Sequence, residues 1–282
     1  MAIDFRKYIM STGTHYISNS GKDEKGTYHG GKAGDQSGHE WELKGWYSRP
    51  WTAILRWPDI EVGLKIAQLG IAAALNNKIG YDQYERKTYW NQLEKVGYDP
   101  SKITTPCEED CTAGVTANVK AVGYLMGIKS LKDLPTSVYS GSMRSVFVKA
   151  GFKALTAGKY TGQSAYLLPG DILLYEGHHA ATNITYGRKV RPAKAPELTP
   201  ISATKPAPKP EPSGQPHAIA TGDVNVRSAP GTSNRVLGVL KKGQTAAYQG
   251  EKKAVDGRDW YLIEFEGQNG WVSSKYAEVA EG

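Results

Sequence analysis

The chain has 282 residues and a formal net charge of +7 at pH 7, and its apolar fraction is that of an ordinary globular protein. This length predicts roughly two domains. The sequence contains no apolar run of about 18 residues, which argues against membrane insertion. It holds only two cysteines, which excludes a disulfide scaffold.

The excess positive charge lies in residues 1–190, which hold 23 Lys and Arg against 18 Asp and Glu. A basic region of this size favours an acidic partner, either nucleic acid or an anionic cell wall. Because the cations are scattered singly and form no basic run, we expect no nucleic-acid partner. A solvated surface of mixed charge explains the same composition equally well.

The first half of the chain predicts an irregular segment followed by helices. The first ten residues lack the apolar core of a signal peptide, so export by the ordinary route is not expected. Residues 13–50 are rich in glycine and aromatic residues and predict a long irregular segment of the kind that is often functional. One helix is predicted in "PDIEVGLKIAQLGIAAALNN", with Pro58 near its start, and another in "YDQYERKTYWNQLEKVG", ended by Gly97.

Two more helices and a strand pair complete the first domain. The helices are predicted from about Cys111 to Met126 and over about 142–150. The segment "YLLPGDILLYEGHHAATNITYG" predicts a strand, a turn at "EG" and a second strand. Residues 1–190 are therefore expected to form an α+β domain.

A proline-rich stretch separates this domain from a second one. Residues 191–216 contain eight prolines and no aromatic residue, which predicts an extended, semi-rigid linker. Residues 217–282 alternate apolar and polar residues between turn signals such as "APGTS" and "KKG". This pattern predicts a small all-β barrel.

The C-terminal motifs resemble a known domain. Three segments resemble a bacterial SH3-type domain and together cover nearly all of 218–280. They are "VNVRSAPGTSNRVLGVLKKG", "WYLIEF" and "GWVSSKYAEV". In that family the domain usually binds cell-wall peptide. Tyr248, Tyr261 and Tyr276 are the candidate substrate-binding residues, because tyrosine offers an apolar face with a polar tip. Trp260 and Trp271 are expected in the core.

The N-terminal motifs point to cysteine chemistry. A papain-like site needs a thiolate at a helix N-terminus and an imidazole on a facing strand, and this chain offers Cys, helix and His in that order. "EDCTAGV" and "PGDILLYEGHHAATNI" resemble the NlpC-type cell-wall cysteine peptidases. A wider set of motifs resembles phage-type endolysins of Gram-positive bacteria and covers most of residues 15–186. These motifs are "GGKAGDQSGHEW", "GWYSRPW", "GYDQ" and "DPSKITTPCEEDC". The resemblance implies a papain-like catalytic domain over residues 1–190.

Either cysteine could begin the helix. The family pattern falls on Asp110-Cys111, which makes Cys111 the predicted nucleophile. However, "TPCE" at 105–108 can form a capping box with proline at the first helical position, and this would place Cys107 in the first turn. Cys111 is preferred because Asp110 is itself a good N-cap and the residues that follow are small.

Three other interpretations of the cysteine pair are weaker. A lone cysteine at a helix start is often a small buried hydrophobe. A disulfide between the two cysteines is disfavoured in reducing cytosol. A zinc site would need further ligands such as His178 and His179, and the CxxxC spacing is poor for it. We therefore predict no metal and no cofactor.

The histidine pair supplies the predicted base. Neighbouring residues on a strand face opposite sides, so only one of His178 and His179 can reach Cys111. Alignment of "HAATNITYG" with the family motif selects His179, which leaves His178 as a candidate substrate contact or a structural residue. Asn183 shares the face of His179 but is about 13 Å away along the strand. We therefore predict that the orienting group is Asp35, with a solvated loop acid as the alternative.

Together these motifs predict a peptidoglycan hydrolase. The resemblance implies cleavage of an amide in the wall peptide, as an endopeptidase or an N-acetylmuramoyl-L-alanine amidase. The expected partners are the peptidoglycan of Gram-positive bacteria and anionic wall polymers. The expected location is the host cytoplasm until lysis, although an exported bacterial toxin also fits. The alternatives are a catalytically inactive wall-binding protein and an intracellular cysteine enzyme that acts on another peptide.

Overall fold

The computed structural model describes residues 3–201, 216–265 and 268–280. The chain divides into two compact units, residues 1–205 and 206–282, and each is described by itself. Among the described residues, no helix combines the length and the apolar character needed to cross a membrane.

The N-terminal unit is a mixed α+β domain, as predicted. Its helices are α1 (Phe5–Ile9), α2 (Ile60–Ala74), α3 (Thr88–Lys95), α4 (Cys111–Met126), α5 (Lys129–Lys132), α6 (Ser140–Ala150) and α7 (Gly158–Thr161). Its strands are β1 (Tyr16–Ser20), β2 (Trp41–Gly45), β3 (Ala53–Arg56), β4 (Ile79–Tyr81), β5 (Cys107–Glu109), β6 (Lys153–Leu155), β7 (Ile172–Tyr175) and β8 (His179–Asn183).

A six-stranded antiparallel sheet organises this unit, in the order β2-β1-β8-β7-β3-β6. Strand β1 pairs with β8 so that Ile17 lies opposite Asn183 and Ser18 opposite Thr182. Helix α4 packs against α2 and β8, and β5 pairs in parallel with β4 just before α4 begins. The sheet therefore places the start of α4 next to β8.

The predicted start of α4 is confirmed. Asp110 lies in the extended region as N-cap, and its carboxylate accepts hydrogen bonds from two N–H groups of the first turn. The competing capping box does not form, because Cys107 lies in strand β5. The left-handed residue Gly127 ends the helix at φ 74°. The predicted helix with Pro58 near its start, the helix that ends before Gly97 and the β7–β8 strand pair are also present.

Two segments differ from the sequence-based expectation. Residues 13–50, expected to be irregular, include strands β1 and β2 of the main sheet. Residues 191–201, assigned to the linker by composition, pack on the N-terminal unit. Ile201 is buried in its core, and the Nζ of buried Lys65 donates to the carbonyl oxygens of Thr199 and Pro200 at 3.1 and 2.8 Å. The rest of the predicted linker, up to residue 215, lies outside the described residues.

The C-terminal unit is all-β, as predicted. Its strands are β9 (His217–Ala220), β10 (Val224–Arg227), β11 (Val236–Leu240), β12 (Thr245–Val255), β13 (Arg258–Phe265), β14 (Gln268–Ser273) and β15 (Ala277–Ala280). They form one sheet in the order β11-β10-β14-β13-β12-β9-β15. Trp260 and Trp271 are both buried, which confirms their expected place.

Candidate active site

Cys111 is the first residue of α4, and its thiol lies beside the strand that carries His179. The backbone N–H of Ala180, the second residue of β8, acts on the Cys111 thiol and lowers its pKa. The Cys111 side chain is partly exposed and forms no disulfide. The sulfur therefore lies close to the residue that directly follows His179 in the chain.

The N–H groups at the start of α4 are mostly occupied. Asp110 Oδ1 accepts from the N–H groups of Thr112 and Ala113, at 2.9 and 2.8 Å. The Gly114 N–H donates to the Asp110 carbonyl oxygen at 2.8 Å. Among the described residues, none accepts a hydrogen bond from the Cys111 N–H. This single donor is the one that the helix start leaves free for an oxyanion.

Asn19, which the sequence analysis missed, is the residue that orients the His179 ring. His179 Nε2 lies 2.9 Å from Asn19 Oδ1, and Asn19 lies in β1, the strand next to β8. The register places Asn19 diagonally across from His179 on the same face of the sheet. The Asn19 side chain therefore reaches the imidazole from a neighbouring strand.

A tyrosine fixes the protonation pattern of this pair. The Tyr47 hydroxyl also donates to Asn19 Oδ1, at 3.1 Å. An amide oxygen only accepts, so His179 Nε2 carries the ring proton and donates a hydrogen bond to Asn19 Oδ1. The other ring nitrogen, Nδ1, is then unprotonated in the neutral ring and free to accept a proton.

Burial favours the neutral forms of both catalytic groups. Burial and the neighbouring Asp110 carboxylate together raise the pKa of the Cys111 thiol to about 12, while the Ala180 N–H opposes the change. Burial lowers the pKa of His179 to about 4, and the positive charges of Arg49 and Lys44 act in the same direction. Both shifts favour a thiol and a neutral imidazole over an ion pair at neutral pH.

Cys107 is in a different environment. It is a buried member of the main core, and its Sγ lies 3.5 Å from the Lys78 carbonyl oxygen. Burial raises the pKa of its thiol to about 12. Within the described ranges, no group of three or more His, Cys, Asp and Glu residues is arranged to hold a metal ion. The burial of Cys107 and its contact with Lys78 are those of a structural thiol.

Glu109 connects the nucleophile helix to strand β1. Its fully buried carboxyl group accepts from the Ser20 hydroxyl and from the Gly114 N–H, the latter at 3.1 Å. A Cβ atom at Gly114 would lie 2.2 Å from Glu109 Oε2, so only glycine fits there. Burial raises the pKa of Glu109 well above its usual value, which favours the protonated form. Glu109 thus joins α4 to the strand that carries Asn19.

Asp35, the predicted orienting residue, has a different role. Its Oδ1 accepts from the N–H groups of Ser37 and Gly38, and its Oδ2 accepts from those of Glu40 and Trp41. Three of these donors lie in its own loop, and the fourth, Trp41, begins the adjoining strand β2. The prediction is corrected on this point, because Asp35 stabilises the loop while Asn19 bonds the imidazole.

The two histidines are separated by the end of the β7–β8 turn. His179 begins β8 and is buried, and its ring lies 6.1 Å from the Trp51 ring. His178 lies in the turn, is exposed, and stacks on Tyr175 with ring centroids 4.2 Å apart. His178 is therefore available to a ligand but is not part of the hydrogen-bonded group.

The three tyrosines of the C-terminal unit do not form one surface. Tyr276 is 41% exposed and lines a cleft with residues of β10 and β13. Tyr248 and Tyr261 pack edge to face with ring centroids 6.0 Å apart, and Tyr261 also packs against the barrel core. Only Tyr276 is placed in this cleft.

The comparisons with known proteins agree with this architecture. The model of the endolysin-like domain family matches residues 17–190, and the model of the bacterial SH3 domain matches residues 222–278. A search of curated proteins finds no match. These two domains together support a peptidoglycan hydrolase with a cell-wall-binding domain. The chain belongs to the endolysin-like domain family.

Proposed function

We propose that the N-terminal unit hydrolyses an amide bond of the wall peptide with Cys111 as nucleophile and His179 as base. The observation that carries this proposal is the paired arrangement at the start of β8. The Ala180 N–H acts on the pKa of the Cys111 thiol, and Asn19 Oδ1 lies 2.9 Å from Nε2 of His179, the residue before Ala180. A nucleophile, a base and an orienting amide are the parts that cysteine-dependent acyl transfer needs.

The neutral resting pair implies general-base catalysis. The Cys111 thiol passes its proton to His179 Nδ1 as the sulfur attacks the carbonyl carbon. The imidazolium then gives this proton to the leaving amine as the C–N bond breaks, which leaves a thioester. A water molecule, deprotonated by His179, hydrolyses the thioester and restores the thiol. Asn19 keeps the ring in one tautomer and orientation throughout.

Two donors serve the oxyanion in this proposal. One is the free N–H of Cys111. The other is the hydroxyl of buried Tyr81, which accepts from Gln83 Nε2 at 3.1 Å and so keeps its own proton for an acceptor. A thiolate at Cys111 would raise the pKa of Tyr81, which supports a position of the tyrosine near the sulfur. A hydroxyl donor in a buried site stabilises a developing negative charge.

The substrate is a wall peptide with carboxylate groups. Arg49 and Lys44 both act on the pKa of His179, so the surroundings of the base carry positive charge. This charge suits an acidic peptide stem. The C-terminal unit then holds the enzyme on Gram-positive peptidoglycan, and the protein stays in the host cytoplasm until lysis.

The decisive experiment is digestion of purified Gram-positive walls, followed by mass spectrometry of the released fragments. Clearing of the walls with new amino groups inside the peptide identifies an endopeptidase. New amino-terminal alanine with peptide-free glycan identifies an amidase. Wall binding without any released fragment would contradict the proposal and establish an inactive wall-binding protein.

Anchoring is tested separately with the fragment 217–282, which contains the described core of the C-terminal unit. We expect it to sediment with walls. If it stays in the supernatant, the C-terminal unit is not an anchor.

A further inference from the structure

The C-terminal unit contains a cleft with an excess of positive charge. The cleft has a volume of about 340 Å³, and its lining includes Arg227, Arg258, Trp260, Asp223 and Tyr276. Arg227 ends β10 and Arg258 begins β13, so two guanidinium groups from different strands border one depression. Neither the family assignment nor the core packing explains why the two arginines lie there.

Arg258 has no partner in the part of the chain that the structure describes. Its side chain is partly buried, and no described carboxylate or carbonyl accepts from it. Its sequence neighbour Asp259 is paired instead with Lys252, at 3.2 Å. A partly buried cation normally has a counter-charge, because burial without one is costly. The missing partner is therefore expected from outside the chain.

The other charged groups of the cleft do not neutralise Arg258. Arg227 uses Nη1 for the Asn234 carbonyl oxygen, at 2.6 Å, which leaves its other N–H groups free. The Asp223 carboxylate is already occupied, because it accepts from Lys241 Nζ at 2.7 Å and from the Lys242 N–H at 3.0 Å. Two arginines therefore face the cleft without an available acid.

The cleft also offers an aromatic wall. Tyr276 is 41% exposed at its edge. Trp260 lines it and is 2% exposed, and its buried indole N–H has no hydrogen-bond acceptor. An anion whose paired oxygens bridge two arginines beside a tyrosine ring is the ligand that such a set of donors fits best.

We infer that this cleft binds an anionic group of the cell wall, a carboxylate or a phosphate, between Arg227 and Arg258. The inference rests on the proposed wall-binding function and adds the chemical class of the ligand. Wall peptides supply carboxylates, and phosphate polymers of the wall supply phosphates. Both give the oxygen pair that a guanidinium group binds with two parallel hydrogen bonds.

The test measures sedimentation of the full chain with purified walls. All variants also carry Cys111→Ala, so that the walls remain intact. We expect Arg258→Gln to weaken wall binding about tenfold, the loss expected from removing one charge-assisted contact. Arg258→Lys should recover only part of it, because lysine keeps the charge but not the planar fork. Unchanged thermal unfolding shows that the variants fold.

The matched control is Arg235→Gln, which removes the same charge from an exposed site in the same unit outside the cleft. We expect it to change binding less than twofold, since a single exposed charge contributes little. Inorganic phosphate and acetate should each displace the parent chain from walls and have less effect on Arg258→Gln. Equal loss in both variants, or no loss in either, would overturn the inference.

The source of the anion follows from a second arm, in which the phosphate polymers are extracted from the walls. If the effect of Arg258→Gln disappears on extracted walls, the ligand is a polymer phosphate. If it persists, the ligand is a peptide carboxylate. Wall binding by the parent chain with no effect of Arg258→Gln refutes the cleft alone, whereas a parent chain that binds neither wall refutes the wall-binding function itself.

Discussion

The two units differ in whether their charged side chains are buried or exposed. The N-terminal unit buries Glu40, Glu108, Glu109 and His179, and these groups lie close to the start of α4 or to the loops around it. Among the described residues of the C-terminal unit, Ser273 is the buried polar side chain, and ion pairs such as Lys241–Asp223 lie at the surface. Acyl transfer needs polar groups removed from water, whereas binding needs a packed core with charges outside.

Burial raises the pKa values of several acidic side chains in the N-terminal unit. Asp171 is buried with a cation, since Arg56 donates to it at 2.7 and 2.6 Å, yet burial still raises its pKa. Among the described residues, no cation pairs with Glu108 or Glu109, and burial raises the pKa of both carboxyl groups. The N-terminal unit should therefore be the one whose activity and stability depend on pH and on single polar atoms.

The largest effect is expected at the nucleophile. Cys111→Ala should reduce wall clearing by at least about 10³-fold, because no other group can form the thioester. Cys107→Ser is the matched control and should keep most activity, since a serine hydroxyl can also donate to the Lys78 carbonyl oxygen. Clearing rates of purified walls measure both, and the reverse pattern would exchange the roles of the two cysteines.

The next effect separates Asn19 from Asp35. Asn19→Ala should lower kcat by roughly 10²-fold, because the imidazole loses its orienting acceptor. Asp35→Asn should leave kcat within about threefold and lower the melting temperature, because its contacts stabilise only its own loop and the start of β2. A larger loss of kcat in Asp35→Asn than in Asn19→Ala would restore the sequence-based assignment.

A third prediction concerns pH. The pKa of His179 is lowered to about 4, so the base stays neutral and active well below the usual histidine value. The acid limb of kcat/KM should therefore lie below pH 5.5. Arg49→Gln should move this limb upward, because it removes a positive charge that opposes protonation.

The rate at which the Cys111 thiol is alkylated tests independently whether Cys111 and His179 are both neutral. With its pKa raised to about 12, Cys111 should react slowly with iodoacetamide at pH 6. Mass spectrometry of both cysteines measures the rates. Fast, selective labelling of Cys111 at pH 6 would establish a thiolate–imidazolium pair and contradict the neutral one.

A fourth prediction concerns the boundary between the units. The fragment 1–190 should be less stable than the fragment 1–205 by roughly 2–4 kcal/mol, because it loses buried Ile201 and the carbonyl partners of Lys65. Urea unfolding of the two fragments measures the difference. Equal midpoints would mean that residues 191–201 act as a plain linker.

The smallest effect concerns one buried acid. The pKa of Glu108 is raised to about 8, so the folded state favours the protonated carboxyl group. The contribution of this group to the free energy of unfolding is therefore full below about pH 4.5 and is lost as the pH rises through 8. Glu108→Gln should therefore match the parent at pH 4.5 and exceed it by roughly 1–3 kcal/mol at pH 9. Glu278→Gln, at an exposed site of the C-terminal unit, should change neither value. Urea midpoints at the two pH values decide between these outcomes.

Local signals made parts of this site predictable. Asp110 caps α4 within the first turn of the helix, and the turn before His179 joins two strands that are adjacent in sequence. Residues close together in the chain therefore predict both the helix start and the strand pair. Asn19 depends on pairing between β1 and β8, and no short pattern around "YISNS" indicates that partner. Ile201 was overlooked because proline content dominates its segment. The depth of burial that sets the two catalytic pKa values is likewise a property of the folded domain.

Asn19, Cys111 and His179 come from widely separated parts of the chain, and this has a consequence for biosynthesis. Strand β1 can pair with β2 early, but it cannot pair with β8 until residue 183 has been made, since Ile17 lies opposite Asn183. At about 5–20 residues per second, translation needs roughly 10–40 s to reach that point, and such long-range pairing is slow to form. The nascent chain is therefore inert until the sheet closes, and its proposed activity emerges only in a late step of folding.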